Sequence, residues 1–223
     1  MDEVSLRFDW LIQSFFRFIP YFIGGLVISS IVLAIGVFLA RYLFWKWLLP
    51  VEKSILLFFN EHTNPLWTSL MVIGSFLAQG QVTIPLFIMI GGFLLYWHAT
   101  AAVLILAIAL GGSWLLNGIF KAFFRRQRPN LWASPDRPMD FSYPSGHSMS
   151  AISFYGLLAF YTSYFVAVPL SVTVAIALAI SLWVGLSRVY LGVHWPTDVL
   201  SGWLTGSIWL ITCFYGLVKI GGL

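Results

Sequence analysis

Residues 141–187 read FSYPSGHSMSAISFYGLLAFYTSYFVAVPLSVTVAIALAISLWVGLS. The run contains no Asp, Glu, Lys or Arg, and its one histidine is His147. A helix that crosses a bilayer needs about 20 apolar residues, because each adds ~1.5 Å against a hydrocarbon core ~30 Å thick. The run is therefore long enough for two crossings, with the turn in the Thr162 to Pro169 region. Two crossings joined by a short turn make a hairpin, so both ends of the run return to the same membrane face.

The rest of the chain fits around that hairpin. Tyr21 to Ala40 is uncharged, is flanked by Arg17 and Arg41, and reads as the first span. Asn64 to Trp97 is also uncharged but too long for one upright span, and Gly80, between Gln79 and Gln81, is the natural break. Leu66 to Ala78 then reads as a shorter interfacial or re-entrant helix and Val82 to Trp97 as the second span. Ala99 to Phe120 is the third span, the hairpin supplies the fourth and fifth, and Val199 to Val218 is the sixth. Ahead of the first span, Ser5, Asp9, Gln13 and Arg17 share one helical stripe. That pattern suits either a helix lying in the interface or a simple extension of the first span. Asp2 and Glu3 stand where a cleaved signal would carry positive charge, so the first span is expected to be retained. The expectation is an all-α, six-transmembrane-helix bundle with short interfacial helices. It forms a single integral-membrane domain over 1–223, with its motifs in 121–198.

Composition agrees. Of 223 residues, 60% are hydrophobic and 9% charged, against about a quarter charged in an ordinary soluble domain. That excludes a soluble enzyme, a disordered chain and a nucleic-acid module. The formal charge of +4 comes from basic residues clustered between apolar spans. Cys213 is the single cysteine, which rules out an internal disulfide or a cysteine metal cluster.

Three polar clusters fall in two loops that the hairpin brings to one face. The first runs from Lys121 to Pro129, KAFFRRQRP. If the third span continues as a helix, Lys121, Arg125 and Arg128 lie on one side. The second is Pro144-Ser145-Gly146-His147, where serine is a strong helix N-cap and the amides of a helix start bind anions. The third is SRVYLGVHWPTD, Ser187 to Asp198, with Pro196 suited to the first turn of a helix. Asp198 lies four residues from His194 and can accept its Nδ1–H, leaving Nε2 as a nucleophile or base. Singly, the clusters read as a basic lipid anchor, a capped helix and an interfacial hydrogen bond. On one face they combine three cations, an anion site, two histidines and a carboxylate.

Such a set suits phosphoryl transfer, which needs positioning and charge stabilisation on the phosphoryl oxygens. Lys121, Arg128 and Arg188 supply charge, and Ser145 with the Gly146 amide completes the cradle. His194, oriented by Asp198, attacks phosphorus, while His147 protonates the leaving oxygen and later activates water. Asp136, Asp140 and Asp198 are scattered and form no metal-ligand cluster, so neither a metal nor another cofactor is expected.

The segments K-x6-R-P at Lys121 to Pro129, P-S-G-H at Pro144 to His147 and S-R-x5-H-x3-D at Ser187 to Asp198 together resemble the signature of the type 2 phosphatidic acid phosphatases. The resemblance implies a metal-independent membrane lipid phosphatase with these residues in the roles just given. Substrates in that family include phosphatidic acid, phosphatidylglycerol phosphate and isoprenoid diphosphates such as undecaprenyl diphosphate. Arg125 and Arg126 occupy variable motif positions and inherit no role.

Nine Lys and Arg fall on the site face: Arg41, Lys46, Lys53, Lys121, Arg125, Arg126, Arg128, Arg137 and Arg188. Arg7, Arg17 and Lys219 fall on the other. Loop charge alone therefore turns the site towards the cytoplasm, whereas the resemblance implies an extracytoplasmic site. A lipid phosphotransferase using the same site and an anion or lipid transporter are the alternatives. The spans hold no charge, which argues against the transporter. The expected partners are a phospholipid or isoprenoid phosphate and the bilayer itself, not nucleic acid. Oligomeric state is not legible in the sequence.

Overall fold

Apolar runs in lipid have one way to satisfy their backbone groups internally within a segment, the α-helix. The computed structural model, which describes residues 3–38, 45–132 and 138–219, is built accordingly. Its described helices are α1 (Glu3–Phe38), α2 (Trp45–Glu61), α3 (Pro65–Phe76), α4 (Gly80–Tyr96), α5 (Thr100–Phe124), α6 (Gly146–Val166), α7 (Leu170–Tyr190) and α8 (Pro196–Lys219). Five are long and apolar enough to cross a membrane: α5, α6, α7, Ile19–Gly36 within α1 and Pro196–Gly216 within α8.

α3 and α4 are long and apolar enough only as a pair, bent by 47° at the break between them, as a broken span or a re-entrant loop. At the site face, α3 starts beside the end of α7, where Thr68 Oγ1 meets the Tyr190 hydroxyl at 3.1 Å. α4 ends at the opposite face, where residues 97–99 lead into α5. The break falls where the sequence put it, with α3 the shorter helix ahead of it and α4 (Gly80–Tyr96) standing at the expected second span, Val82 to Trp97. The broken backbone is accommodated inside the protein, for the Tyr155 hydroxyl donates to the Leu77 carbonyl at 2.6 Å. At the N-terminus, α1 is one continuous helix through Pro20. The stripe at residues 4–19 thus extends the first span and does not turn along the interface.

The α6–α7 hairpin packs with α8 at the centre; α1 lies on α8, α3 on α7, and α4 on α5. Small residues let the central helices approach, as in membrane bundles generally. A Cβ on Gly202 of α8 would stand 2.5 Å from the Ser145 carbonyl oxygen, and one on Gly206 would stand 2.7 Å from that of Met149. That close contact fixes the start of α6 against the start of α8, where two of the three motifs sit.

α2 is amphipathic: Glu52 and Leu56 are buried, while Trp47, Val51 and Phe58 are exposed. It covers the site-face ends of α7 and α8 through Leu56, Val189, Trp195 and Val199. Of the expected features, Arg41, Asp136 and Arg137 lie outside the described residues.

Candidate active site

Helix ends deliver the functional groups. α5 carries Lys121 in its last turn and stops at Arg125, which adopts a left-handed conformation (φ 48°, ψ 35°). The helix therefore does not continue through Arg128, and the expected stripe of Lys121, Arg125 and Arg128 does not form. Arg125 turns back to its own helix, donating from Nε to the Ala122 carbonyl at 3.0 Å. Arg128 instead reaches across the face to the third motif.

Ser145 caps α6, its hydroxyl accepting from the Ser148 amide (3.4 Å) and hydroxyl (3.0 Å). Its own amide donates to the Asp198 carbonyl at 2.9 Å. Ser145 therefore joins the α6 start to the α8 start and is fully buried. The amides of Gly146 and His147 head the helix, where no intrahelical acceptor exists for them. Asn117 of α5 steadies the turn by donating from Nδ2 to the Pro144 carbonyl at 3.0 Å.

In α8, Pro196 takes the first position and Asp198 the third. The Asp198 Oδ2 accepts from the Trp195 amide at 2.9 Å, the back-bond of a capping box. The same oxygen lies 3.4 Å from His194 Nδ1, a long approach that still puts the carboxylate behind the ring. On the ring's other side, Arg128 Nη1 stands 3.0 Å from Nε2 and donates to the Val193 carbonyl at 2.7 Å. His194 is almost wholly buried. Burial first, then the Arg128, Arg188 and Lys121 charges, hold its imidazole well below the usual 6.5, with Asp140 pulling weakly the other way.

The eight expected residues thus gather at one face, but they do not share one surface. A cavity of about 1290 Å³ is lined by Lys121, Gly146, His147 and Arg188, whereas Arg128, Ser145, His194 and Asp198 are not part of its lining. His147 Nε2 is buried there without a hydrogen-bond partner. Arg188 Nη1 donates to the Ser75 hydroxyl of α3.

Three further residues complete the site. Asp140, which the sequence left among scattered acids, bridges the cations: Oδ2 lies 2.5 Å from Lys121 Nζ and Oδ1 lies 2.6 Å from Arg128 Nη2. Partial burial pushes its carboxyl up, but the two cations more than offset that and leave it at about 2. Arg126, without a role in the motif, donates from Nη1 to Asp198 Oδ1 at 2.8 Å. Its Nη2 donates to Glu52 of α2 at 2.6 Å. Glu52 was legible in principle, since a lone acid falls on the buried stripe of Leu49, Leu56 and Phe59. Asp140 and Arg126 had no such signal. Among the described residues, no group of three His, Cys, Asp or Glu side chains could hold a metal ion.

Known proteins are similar to this chain. The family model described as the PAP2 superfamily matches residues 101–221. Phosphatidylglycerophosphatase B of Bacillus subtilis is 34% identical over 70% of this chain and 76% of its own length. An undecaprenyl-diphosphatase of Sulfolobus acidocaldarius is 36% identical over 42% of this chain and 44% of its own. The crystal structure of a transmembrane PAP2-type phosphatidylglycerolphosphate phosphatase from Bacillus subtilis superposes with a TM-score of 0.74. It is 26% identical, covering 92% of this chain and 97% of that one.

Proposed function

The chain belongs to the PAP2 superfamily and is an integral-membrane lipid phosphatase, and from there we propose that it hydrolyses a glycerophospholipid or isoprenoid phosphate through a phosphohistidine on His194. Phosphatidylglycerol phosphate is the leading substrate, supported by the relative that matches 70% of the chain. Phosphatidic acid and undecaprenyl diphosphate are the others.

His194 Nδ1 stands 3.4 Å from Asp198 without a formed hydrogen bond, and the reaction uses the tautomer with its proton on Nδ1, towards Asp198, and its lone pair on Nε2. Arg128 caps that lone pair, and Asp140 stands between Lys121 and Arg128. An entering phosphate displaces the Asp140 carboxylate and draws Arg128 onto its own oxygens, which uncovers Nε2. Lys121, Arg128, Arg188 and the α6 amides at Gly146 and His147 hold the phosphoryl oxygens, and Ser145 fixes the turn that presents those amides. Nε2 then attacks phosphorus in line; the N–P bond forms as the bond to the lipid oxygen breaks. His147 gives that oxygen a proton. Water next attacks the phosphohistidine, His147 takes its proton, and inorganic phosphate leaves with His194 restored. The cations do what a metal would otherwise do, so the reaction needs none. The site opens on the extracytoplasmic face.

The single observation carrying this reading is the His194 ring, with the Asp198 carboxylate 3.4 Å behind Nδ1 and Arg128 at Nε2, beside the cavity that contains the unpartnered His147 Nε2. The test is phosphate release from the three lipids by purified protein, with and without EDTA. Expected are release that survives the chelator and its loss in His194→Ala at unchanged detergent melting temperature. An active His194→Ala variant overturns the nucleophile, and abolition by EDTA with recovery in magnesium overturns metal independence. Label passed to a lipid acceptor, without free phosphate, makes the protein a phosphotransferase.

A further inference from the structure

Behind the histidine, Asp198 is tied to two further charges, Arg126 and Glu52, that the hydrolytic scheme does not use. Glu52 and Asp198 are both essentially unexposed, and Arg126 spans them, with 2.6 Å to Glu52 Oε2 and 2.8 Å to Asp198 Oδ1. Arg126 Nη1 also donates to the Thr197 hydroxyl at 2.7 Å. Glu52 Oε1 in turn accepts from the Thr197 amide at 3.1 Å and from its hydroxyl. The Arg126 guanidinium lies over the Trp195 ring, 5.3 Å from its centroid. A carboxylate from α2 thus sits at the amide end of α8, where negative charge is favoured, and reaches the Asp–His pair through one arginine.

From this we infer that Glu52 and Arg126 are positioning residues of the reaction, setting the charge that Asp198 presents to His194. Arg126 alone would neutralise Asp198 and leave the imidazole facing no net charge. With Glu52 the triad carries one negative charge (two carboxylates against one guanidinium), so the ring is backed by an effective anion while Arg126 still fixes the carboxylate's orientation. The inference rests on His194 being the nucleophile. The other groups that face or surround the ring are Arg128 and Asp140 from the loop after α5, Lys121 at the end of α5, His147 at the start of α6 and Arg188 at the end of α7. Four of them are cations or an imidazole, so a net negative partner behind the ring is what keeps it basic enough to attack.

The test is the pH profile of kcat/KM for full-length protein in detergent. Glu52→Gln keeps the side chain's shape and removes its charge. Its acidic limb should move to lower pH by about one unit, the common effect of removing a nearby charge, and kcat near neutral pH should fall about tenfold. The double variant Glu52→Gln with Arg126→Met restores one net negative charge on Asp198, and its limb should return to within about 0.3 units of the parent. If Glu52 only fastens α2 to α8, both variants lower the melting temperature and the limb stays put in each, which overturns the inference. If Glu52→Gln does not fold, Arg126→Met decides alone: it leaves Glu52 and Asp198 uncompensated, so the limb should move to higher pH by about one unit, and a limb at the parent position refutes the inference. An active His194→Ala enzyme would sink the nucleophile reading itself. An inactive one with an unmoved Glu52→Gln limb sinks only this inference.

Discussion

Asp140 bridges two of the cations proposed to hold the substrate phosphate, and its removal has a calculable effect. Its carboxylate takes one oxygen to Lys121 at 2.5 Å and the other to Arg128 at 2.6 Å, two cations that themselves lie mostly out of solvent. Charge-assisted hydrogen bonds contribute about 1.5–3 kcal/mol each when buried, and exposed ion pairs about 0–1 kcal/mol. The Asp140 side chain is 52% exposed, so the two contacts together oppose an incoming phosphate by about 1–2 kcal/mol, a factor of roughly 5–30. Asp140→Asn retains the backbone carbonyl that accepts from Arg128 Nε at 2.9 Å, so Arg128 stays in place. The inhibition constant of inorganic phosphate or orthovanadate should therefore fall about 5–30-fold, while kcat does not rise because phosphate leaves more slowly. The carboxyl titrates at about 2. Its ion pairs favour the folded state above the unfolded value of ~3.9 and are lost only as pH falls through about 2. Between pH 5 and 9 the group is fully ionised, so the gain should not vary with pH. An inhibition constant that is unchanged or weaker in Asp140→Asn would refute the view that Asp140 competes with phosphate.

Three other outcomes follow from the geometry. Gly202→Ala should lower the melting temperature in detergent, because its Cβ meets the Ser145 carbonyl at 2.5 Å and overpacking costs about 1–3 kcal/mol. Gly111→Ala, with nothing within 4 Å of the new methyl, is the matched control and should not. His194 is held below its ordinary 6.5, so protonation of the nucleophile should cut kcat/KM only below that pH; an acidic limb above 6.5 would contradict the burial argument. Sidedness can be read with an impermeant thiol reagent, since Cys213, the only native thiol, is fully buried. Met139→Cys at the site face should be labelled in intact cells and Val166→Cys at the other face should not; the reverse pattern puts the site in the cytoplasm.

The helices were readable because lipid imposes a length and forbids charge. α5, α6, α7 and α8 begin and end within a few residues of the uncharged runs. The break between α3 and α4 was legible at Gly80, between Gln79 and Gln81. Hydropathy cannot distinguish a helix lying in the interface from half of a bent span, and packing of α3 on α7 makes the difference. At the site, local signals held: Ser145 caps α6, and Pro196 and Asp198 open α8. What failed was long-range. That α5 would stop at Arg125 depends on the loop it feeds. Glu52 meets Arg126 across 74 residues of chain, a pairing no local pattern encodes.

A lipid phosphatase has to bring a charged headgroup to fixed cations while leaving the tails in hydrocarbon, and the α3–α4 bend bears on that problem. Gln79, Gly80 and Gln81 at the break line the same cavity as Lys121, His147 and Arg188. So does Trp114 of α5, whose side is partly exposed on the apolar surface. Between α3 and α5 the cavity therefore extends from Lys121 and Arg188 to the break between α3 and α4. An unbroken helix would satisfy its backbone without help, and interrupting one in lipid is costly unless the gap lines a cavity or is covered by protein. Both conditions hold at this break, since the Tyr155 hydroxyl covers the Leu77 carbonyl and the glutamines line the cavity. The bend thus belongs to the site as much as the motif residues do. On the proposed function, a headgroup entering along this cavity meets Lys121 and Arg188 beside the break.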